Sequence, residues 1–127
     1  MLFRSMKAKR EHRVPLSKQA IALLKALPTM NTGALIFPST KPTTKLSDMS
    51  LTAVMRRMQT DAVPHGLRAS FRNWTAEETS YPNEVAEMAL AHKVGNAVEA
   101  AYRRGDLFEK RRSMMQDWSN FLSTKNL

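Results

Sequence analysis

The stretch HGLRASFRNW, residues 65–74, sets His65 three residues ahead of Arg68, a spacing that one turn of helix brings onto a single face. A guanidinium is a planar fork of donors matched to the paired oxygens of a phosphate, and an imidazole beside it can donate or accept a proton. The two side chains can therefore meet one anion together, although the same spacing also describes a histidine at a helix start beside a surface arginine. Downstream, LAHKVGNAVEAAYRR adds His92 and, ten positions later, Tyr102, a phenol to which Ala100 and Ala101 give little steric cover. Alone, Tyr102 reads as a packed surface tyrosine. Together with His65, Arg68 and a basic opening segment it reads as part of an anion site. A metal site is the competing use of the histidines, but no Asp or Glu lies close to either in a ligand-like motif.

The 127-residue chain has 20 Lys and Arg against 11 Asp and Glu, a formal net charge of +9 and a pI near 10.4. That balance points to an anionic partner, nucleic acid first and an acidic membrane surface second. Residues 1–60 hold eleven basic and two acidic side chains, whereas residues 61–127 hold nine of each. The first part can supply a long-range positive surface, and the second must work through individually placed groups. No run approaches the roughly eighteen uninterrupted apolar residues of a membrane span, and Met1 does not lead into a signal-like segment. A soluble, cytoplasmic protein is expected. Zero cysteines exclude a disulfide scaffold, a thiol nucleophile and the usual structural zinc sites, in keeping with a reducing compartment.

The elements that must position these groups read mainly as helices, and 43% hydrophobic content is enough for one core. The opening LFRSMKAKREHRVPLS is too sparsely apolar for an amphipathic helix. It reads as a hairpin over residues 2–16, two short strands around a basic turn at residues 7–11, with Val14, Pro15 and Leu16 ending the second strand. Ser17 caps a helix over residues 18–27 that Pro28 stops, with Ile21, Leu23, Leu24 and Leu27 as its buried side. Residues 28–46, rich in proline and threonine, form a long connection with one buried anchor, Leu35, Ile36 and Phe37. Ser47 caps a second helix whose Met49, Leu51, Val54, Met55 and Met58 belong to the core.

Pro64 introduces the HGLRASFRNWTAEET helix, in which Leu67, Phe71 and Trp74 form the buried stripe and Arg68 sits at its edge. A helix from Asn83 to near Gly95, another over NAVEAAYRR, and a terminal one over residues 107–122 complete the chain. The last carries Leu107, Phe108, Met114, Met115, Trp118, Phe121 and Leu122 on one apolar stripe, expected to fold back in cis and to allow self-association. The expected fold class is mainly α with a small N-terminal β-hairpin, an α+β domain whose helical remainder covers residues 17–123. Isolated hairpins are marginal, so the chain reads as the later part of a larger domain.

Four ordered segments carry a resemblance to a known family: MKAKREHRVPLS, LIFPS, HGLRASFRNWTAEE, and EVAEMALAHKVGNAVEAAYRRGDLFEKRRSMMQDW. Together they cover almost the whole chain, and they resemble the tyrosine recombinases, in particular the P4-like phage and genomic-island integrases. The resemblance implies transesterification at phosphates of double-stranded DNA through a 3′-phosphotyrosyl intermediate. Tyr102 would be the nucleophile and His65, in the HxxR motif, the base that takes the phenol proton. Arg68 would bind the nonbridging oxygens and stabilise the pentavalent transition state, and His92 would add a hydrogen bond. Alignment on VPLS places the hairpin lysine, which protonates the departing 5′-oxygen, at Lys7, with Lys9 as the alternative. Neither a metal nor a nucleotide cofactor is implied, nor any small-molecule substrate or membrane.

Family members also carry an earlier arginine ahead of the sheet, which Arg4, in the first strand, does not match. The expectation is one truncated catalytic domain over residues 1–127, with core-binding and arm-binding domains absent and robust recombination lost. Two functions stay open on that basis: the fragment of a DNA strand-cleaving enzyme, and a noncatalytic remnant that binds DNA or an integrase partner.

Overall fold

A computed structural model describes residues 2–4, 11–28, 35–41, 43–95 and 105–124. Strand β1 (Leu2–Arg4) pairs antiparallel with β2 (Glu11–Arg13), Leu2 opposite Arg13 and Arg4 opposite Glu11. Glu11 thus lies in the strand and not in the turn. Val14, Pro15 and Leu16 fall beyond it, as suits a proline that has no N–H for a ladder. The remaining regular structure among the described residues is helical: α1 (Lys18–Ala26), α2 (Ser50–Arg57), α3 (Pro64–Glu78), α4 (Asn83–Ala89) and α5 (Phe108–Thr124).

Ser17 caps α1 as expected, its hydroxyl accepting from the Ala20 amide at 3.1 Å. The helix then meets α5 through polar groups. Gln116 accepts from the Lys18 amide at 2.9 Å and donates to Gln19 at 2.8 Å, and Gln19 donates to Asn120 at 3.0 Å. Leu23 is 63% exposed, and none of α1 is buried. The next helix departs further from expectation. Met49, not Ser47, precedes α2, and Ser47 instead pairs its hydroxyl with that of Ser50 at 3.0 Å. Met49, Leu51, Val54 and Met58 are exposed, as are Leu35 and Phe37, so neither the second helix nor the connection contributes a buried anchor. Periodicity identifies the face that could be covered; it does not supply the element that covers it.

The core sits among α3, α4 and α5. Phe71 and Trp74 from α3, Val85 and Ala86 from α4 and Met114 from α5 are buried, with Tyr81, Leu90, Leu107, Met115, Trp118 and Phe121 packed around them. Trp118 lies edge-on to Phe71 with ring centres 5.5 Å apart, 5.0 Å from Trp74, and stacked on Phe121 at 5.7 Å. Each such aromatic contact adds about 0.5 to 1.5 kcal/mol beyond the area it buries. The terminal helix therefore packs in cis, leaving Leu122 exposed. Leu67, expected in the same stripe as Phe71, is 58% exposed.

Arg111 ties the two ends of the chain together. Its side chain is buried, with Nη1 donating to the Arg13 carbonyl at 2.7 Å, Nε to the Asp106 carbonyl at 2.8 Å, and Nη2 3.1 Å from the Asp106 carboxylate. Every donating nitrogen of this buried cation thus has an acceptor, the condition under which burying a guanidinium is tolerable. The clamp holds β2 beside the start of α5, next to the last turn of α4.

Candidate phosphate-binding site

The site is built on the way α4 ends. The helix stops at Ala89, and the chain then turns through Ala91, whose φ of 57° is left-handed. Ala91 donates its amide to the Met88 carbonyl at 3.1 Å and His92 donates its own to the Glu87 carbonyl at 2.9 Å. These are the two bonds of a Schellman ending, normally made around glycine because a Cβ disfavours the left-handed region. The sequence pattern carries this helix on to Gly95; its earlier end takes His92 off the helix and folds it back over Glu87.

Arg68, exposed on α3, reaches this ending. Its Nη2 donates to the Leu90 carbonyl at 2.7 Å and lies 3.0 Å from Nε2 of His92. A cation is thereby placed where the helix leaves its carbonyls unpaired and its dipole is negative. A guanidinium has no acceptor, so Nε2 of His92 is the accepting atom and the ring hydrogen is assigned to Nδ1. That hydrogen is donated to Glu87 Oε2 at 2.6 Å.

Glu87 in turn receives Arg72 Nε on its other oxygen at 2.6 Å, and Arg72 also donates to Asn83, the first residue of α4. The carboxyl is held below its usual range chiefly by the His92 hydrogen bond; burial opposes the shift and Arg72 adds to it. Such half-exposed pairs contribute about 0 to 1 kcal/mol each. Their main effect is to fix the direction of the imidazole. Nε and Nη1 of Arg68 make no hydrogen bond to other described residues, so they can receive oxygens of an anion.

His12 on β2 feels the charges of this region. It is half-buried, it hydrogen-bonds to the backbone of Ala89, and its pKa is lowered by burial first and then by the charge of Arg111, with a smaller effect from Arg68. Asp106 is pushed up by burial, yet the Arg13 hydrogen bond and the charges of Arg111 and Arg13 hold it below its ordinary value. The positive end of the hairpin strand and the α4 ending thus face one region.

Of the residues singled out from sequence, Arg68 and His92 are brought into contact from different elements. His65 lies in the first turn of α3, exposed and one turn before Arg68, with no hydrogen bond or ion pair to another described residue. Lys7, Lys9 and Tyr102 lie outside the described residues, as does the helix expected over NAVEAAYRR. Glu87, five residues before His92, is brought against its ring, a contact that the sequence reading did not include. Its partner Arg72 escapes the motif-based reading too, although it follows Arg68 by one helical turn. Among the described residues no three His, Cys, Asp or Glu side chains form a metal-binding group.

The described residues thus hold two paired strands, a helical core, and an arginine of α3 joined to a histidine just beyond the end of α4. The chain belongs to the phage integrase family, the tyrosine recombinases, whose model matches residues 1–107. It is 39% identical over 121 residues to prophage integrase IntA of Escherichia coli strain K12, covering 92% of this chain and 29% of that protein. It is 35% identical over 127 residues to the integrase of Enterobacteria phage P4, covering 94% and 29%, and 29% identical over 125 residues to that of Shigella phage Sf6, covering 94% and 32%. The chain thus spans less than a third of the length of these curated relatives. No solved structure matches it. None of the helices among the described residues is long and apolar enough to cross a membrane.

Proposed function

We propose that this chain is the later part of the catalytic domain of a site-specific DNA recombinase that cuts and rejoins double-stranded DNA through a 3′-phosphotyrosyl intermediate. The observation that carries the reading is the contact of Arg68 with His92 over the end of α4, which engages Nη2 and leaves Nε and Nη1 without a partner among the described residues. In this reading the Tyr102 oxygen attacks the phosphorus and the 5′-oxygen departs. A phenol with an ordinary pKa of about 10 needs a proton acceptor near neutral pH, a role assigned to His65. Lys7, or Lys9 in its place, returns a proton to the leaving oxygen. Arg68 neutralises the nonbridging oxygens, a contribution of about 3 to 4 kcal/mol for one preorganised donor. The reaction calls for no metal or cofactor, and its setting is the cytoplasm of a bacterial host. The paired strands and helices are in this reading the α+β remainder of a larger catalytic domain, with the core-binding and arm-binding domains elsewhere.

A second reading is a noncatalytic remnant that binds DNA or an integrase partner. It is favoured by the net charge of +9, which serves duplex binding without any strand cleavage. A chimera separates the two. The matching part of the phage P4 integrase is replaced by this chain, and the hybrid is incubated with a nicked suicide substrate. A covalent protein–DNA adduct that disappears in Tyr102→Phe supports the catalytic reading. A hybrid that binds DNA but yields no adduct supports the remnant, and an adduct that survives Tyr102→Phe removes Tyr102 from its role.

A further inference from the structure

The network around His92 contains a carboxylate for which direct phosphate binding has no use. In the arrangement described, Nε2 accepts from Arg68 and carries no hydrogen, so it cannot donate to a phosphate oxygen. Glu87 occupies the opposite edge of the ring at 2.6 Å and is fixed by Arg72, which reaches both Glu87 and Asn83. A carboxylate so placed fixes the ring by its Nδ1 hydrogen. Among the described residues, the charged groups around this centre are Arg68 and Arg72 from α3 and Glu87 from α4, with His12 of β2 within electrostatic reach of Arg68 and Lys93 exposed on the following residue.

Resting on the phosphate-site reading above, we propose that Glu87 is a positioning residue that holds His92 by Nδ1 while Nε2 changes from acceptor of Arg68 to donor to phosphate. The balance is simple. One proton from solvent is bound at Nε2, the Arg68 hydrogen released from Nε2 turns to a phosphate oxygen, and the Nδ1 hydrogen stays on Nδ1, donated to Glu87. Phosphate binding at this site is therefore coupled to uptake of one proton. The anion finds two donors where the free protein presents one donor and one acceptor.

The test follows the ring nitrogens of His92 by nitrogen NMR in the full chain, with inorganic phosphate as the probe. The free protein should show Nδ1 protonated and Nε2 bare, and phosphate should protonate Nε2. In Glu87→Gln, which keeps the size and the accepting oxygen but loses the charge, Nε2 should stay bare. Phosphate affinity should then fall roughly tenfold, the loss of one charge-assisted hydrogen bond. In an Arg68→Ala background, where no guanidinium holds Nε2 bare, Glu87→Ala should abolish the Nδ1 preference in the free chain, and the amide spectrum of the core reports whether each variant is folded. Equal phosphate affinity and equal protonation in parent and Glu87→Gln overturn the proposal. If phosphate shifts neither Arg68 nor His92 in the parent, the phosphate-site reading fails instead. The tautomer in free Arg68→Ala/Glu87→Ala, compared with Arg68→Ala, then decides separately whether Glu87 directs His92, and an unchanged Nδ1 hydrogen overturns that too.

Discussion

Removing Arg68 should change two quantities that are normally independent. In Arg68→Ala the Leu90 carbonyl loses its donor, worth about 1 kcal/mol for an exposed hydrogen bond. The end of α4 also loses a cation, worth about 0.3 to 1 kcal/mol. His92 Nε2 is exposed enough for water to replace the guanidinium, so the total should be about 1 to 2 kcal/mol, or a few degrees in melting temperature. The second quantity is the salt dependence of duplex binding. Without the Arg68 charge on a phosphate, one fewer counterion is released, and the slope of log affinity against log salt becomes shallower by about 0.9. Fluorescence anisotropy of a labelled duplex at several salt concentrations measures the slope, and thermal melting of the same samples measures the stability. Arg68→Lys keeps the charge but not the fork, so it should recover most of the slope while only partly replacing the hydrogen bonds to Leu90 and His92. A folded Arg68→Ala protein with the parental slope would refute the assignment of Arg68 to a phosphate.

Ala91→Gly should stabilise the protein by about 0.5 to 1 kcal/mol in urea unfolding, because glycine removes the Cβ strain at a φ of 57°; destabilisation would contradict the left-handed ending of α4. Trp118→Ala should cost about 3 kcal/mol, the low end for a large core aromatic since Trp118 is only partly buried among Phe71, Trp74 and Phe121. Sedimentation of the same variant reports on a second use of the helix, and weaker self-association at unchanged stability would assign α5 to a partner. For His12 the folded pKa lies below the ordinary 6.5, so the unfolded chain takes the proton first and stability falls as pH drops beneath that value. One proton limits the slope to about 1.4 kcal/mol per pH unit, and solvent around a half-buried ring keeps it smaller. Urea unfolding at several pH values should show this slope in the parent and lose it in His12→Gln.

Much of the helical skeleton is legible in local chemistry. Ser17 announces α1, Pro64 announces α3, and the spacing of Phe71 and Trp74 with Trp118 and Phe121 marks the buried faces that meet in the core. The same reasoning overfills that core. Ile21 and Leu23 of α1, Leu51 and Val54 of α2, Met49 and Met58 at its ends, and Leu67 have the periodicity of buried residues, and they are exposed because no described element lies over them. Ser47 shows a smaller version of the problem: a good capping residue supplies a cap only if the helix starts there, and its hydroxyl instead meets Ser50. Arg111 stands in the charged run EKRR, where nothing in the residue types marks one arginine for burial. Its burial depends on the carbonyls of Arg13 and Asp106, and the former is too distant in sequence for local pattern to reveal.

The Glu87–His92 pair shows why the site is harder to read than the fold. Residues five apart on a continuous helix lie about 140° apart around its axis at 3.6 residues per turn, so a helix running to Gly95 would hold carboxylate and imidazole on different sides. Gly95 has the residue type of a natural stop, and its own φ of 76° is positive. The helix nevertheless ends at Ala89, with an alanine taking the position that glycine usually fills. Because the sixth residue of a Schellman ending returns its amide to the first, His92 is laid over Glu87 by the backbone before either side chain contributes. The same ending exposes the Leu90 carbonyl that draws in Arg68. One unsignalled left-handed residue therefore determines which carboxylate faces the histidine and where the arginine is held, and both follow from backbone geometry that residue types and spacing do not encode.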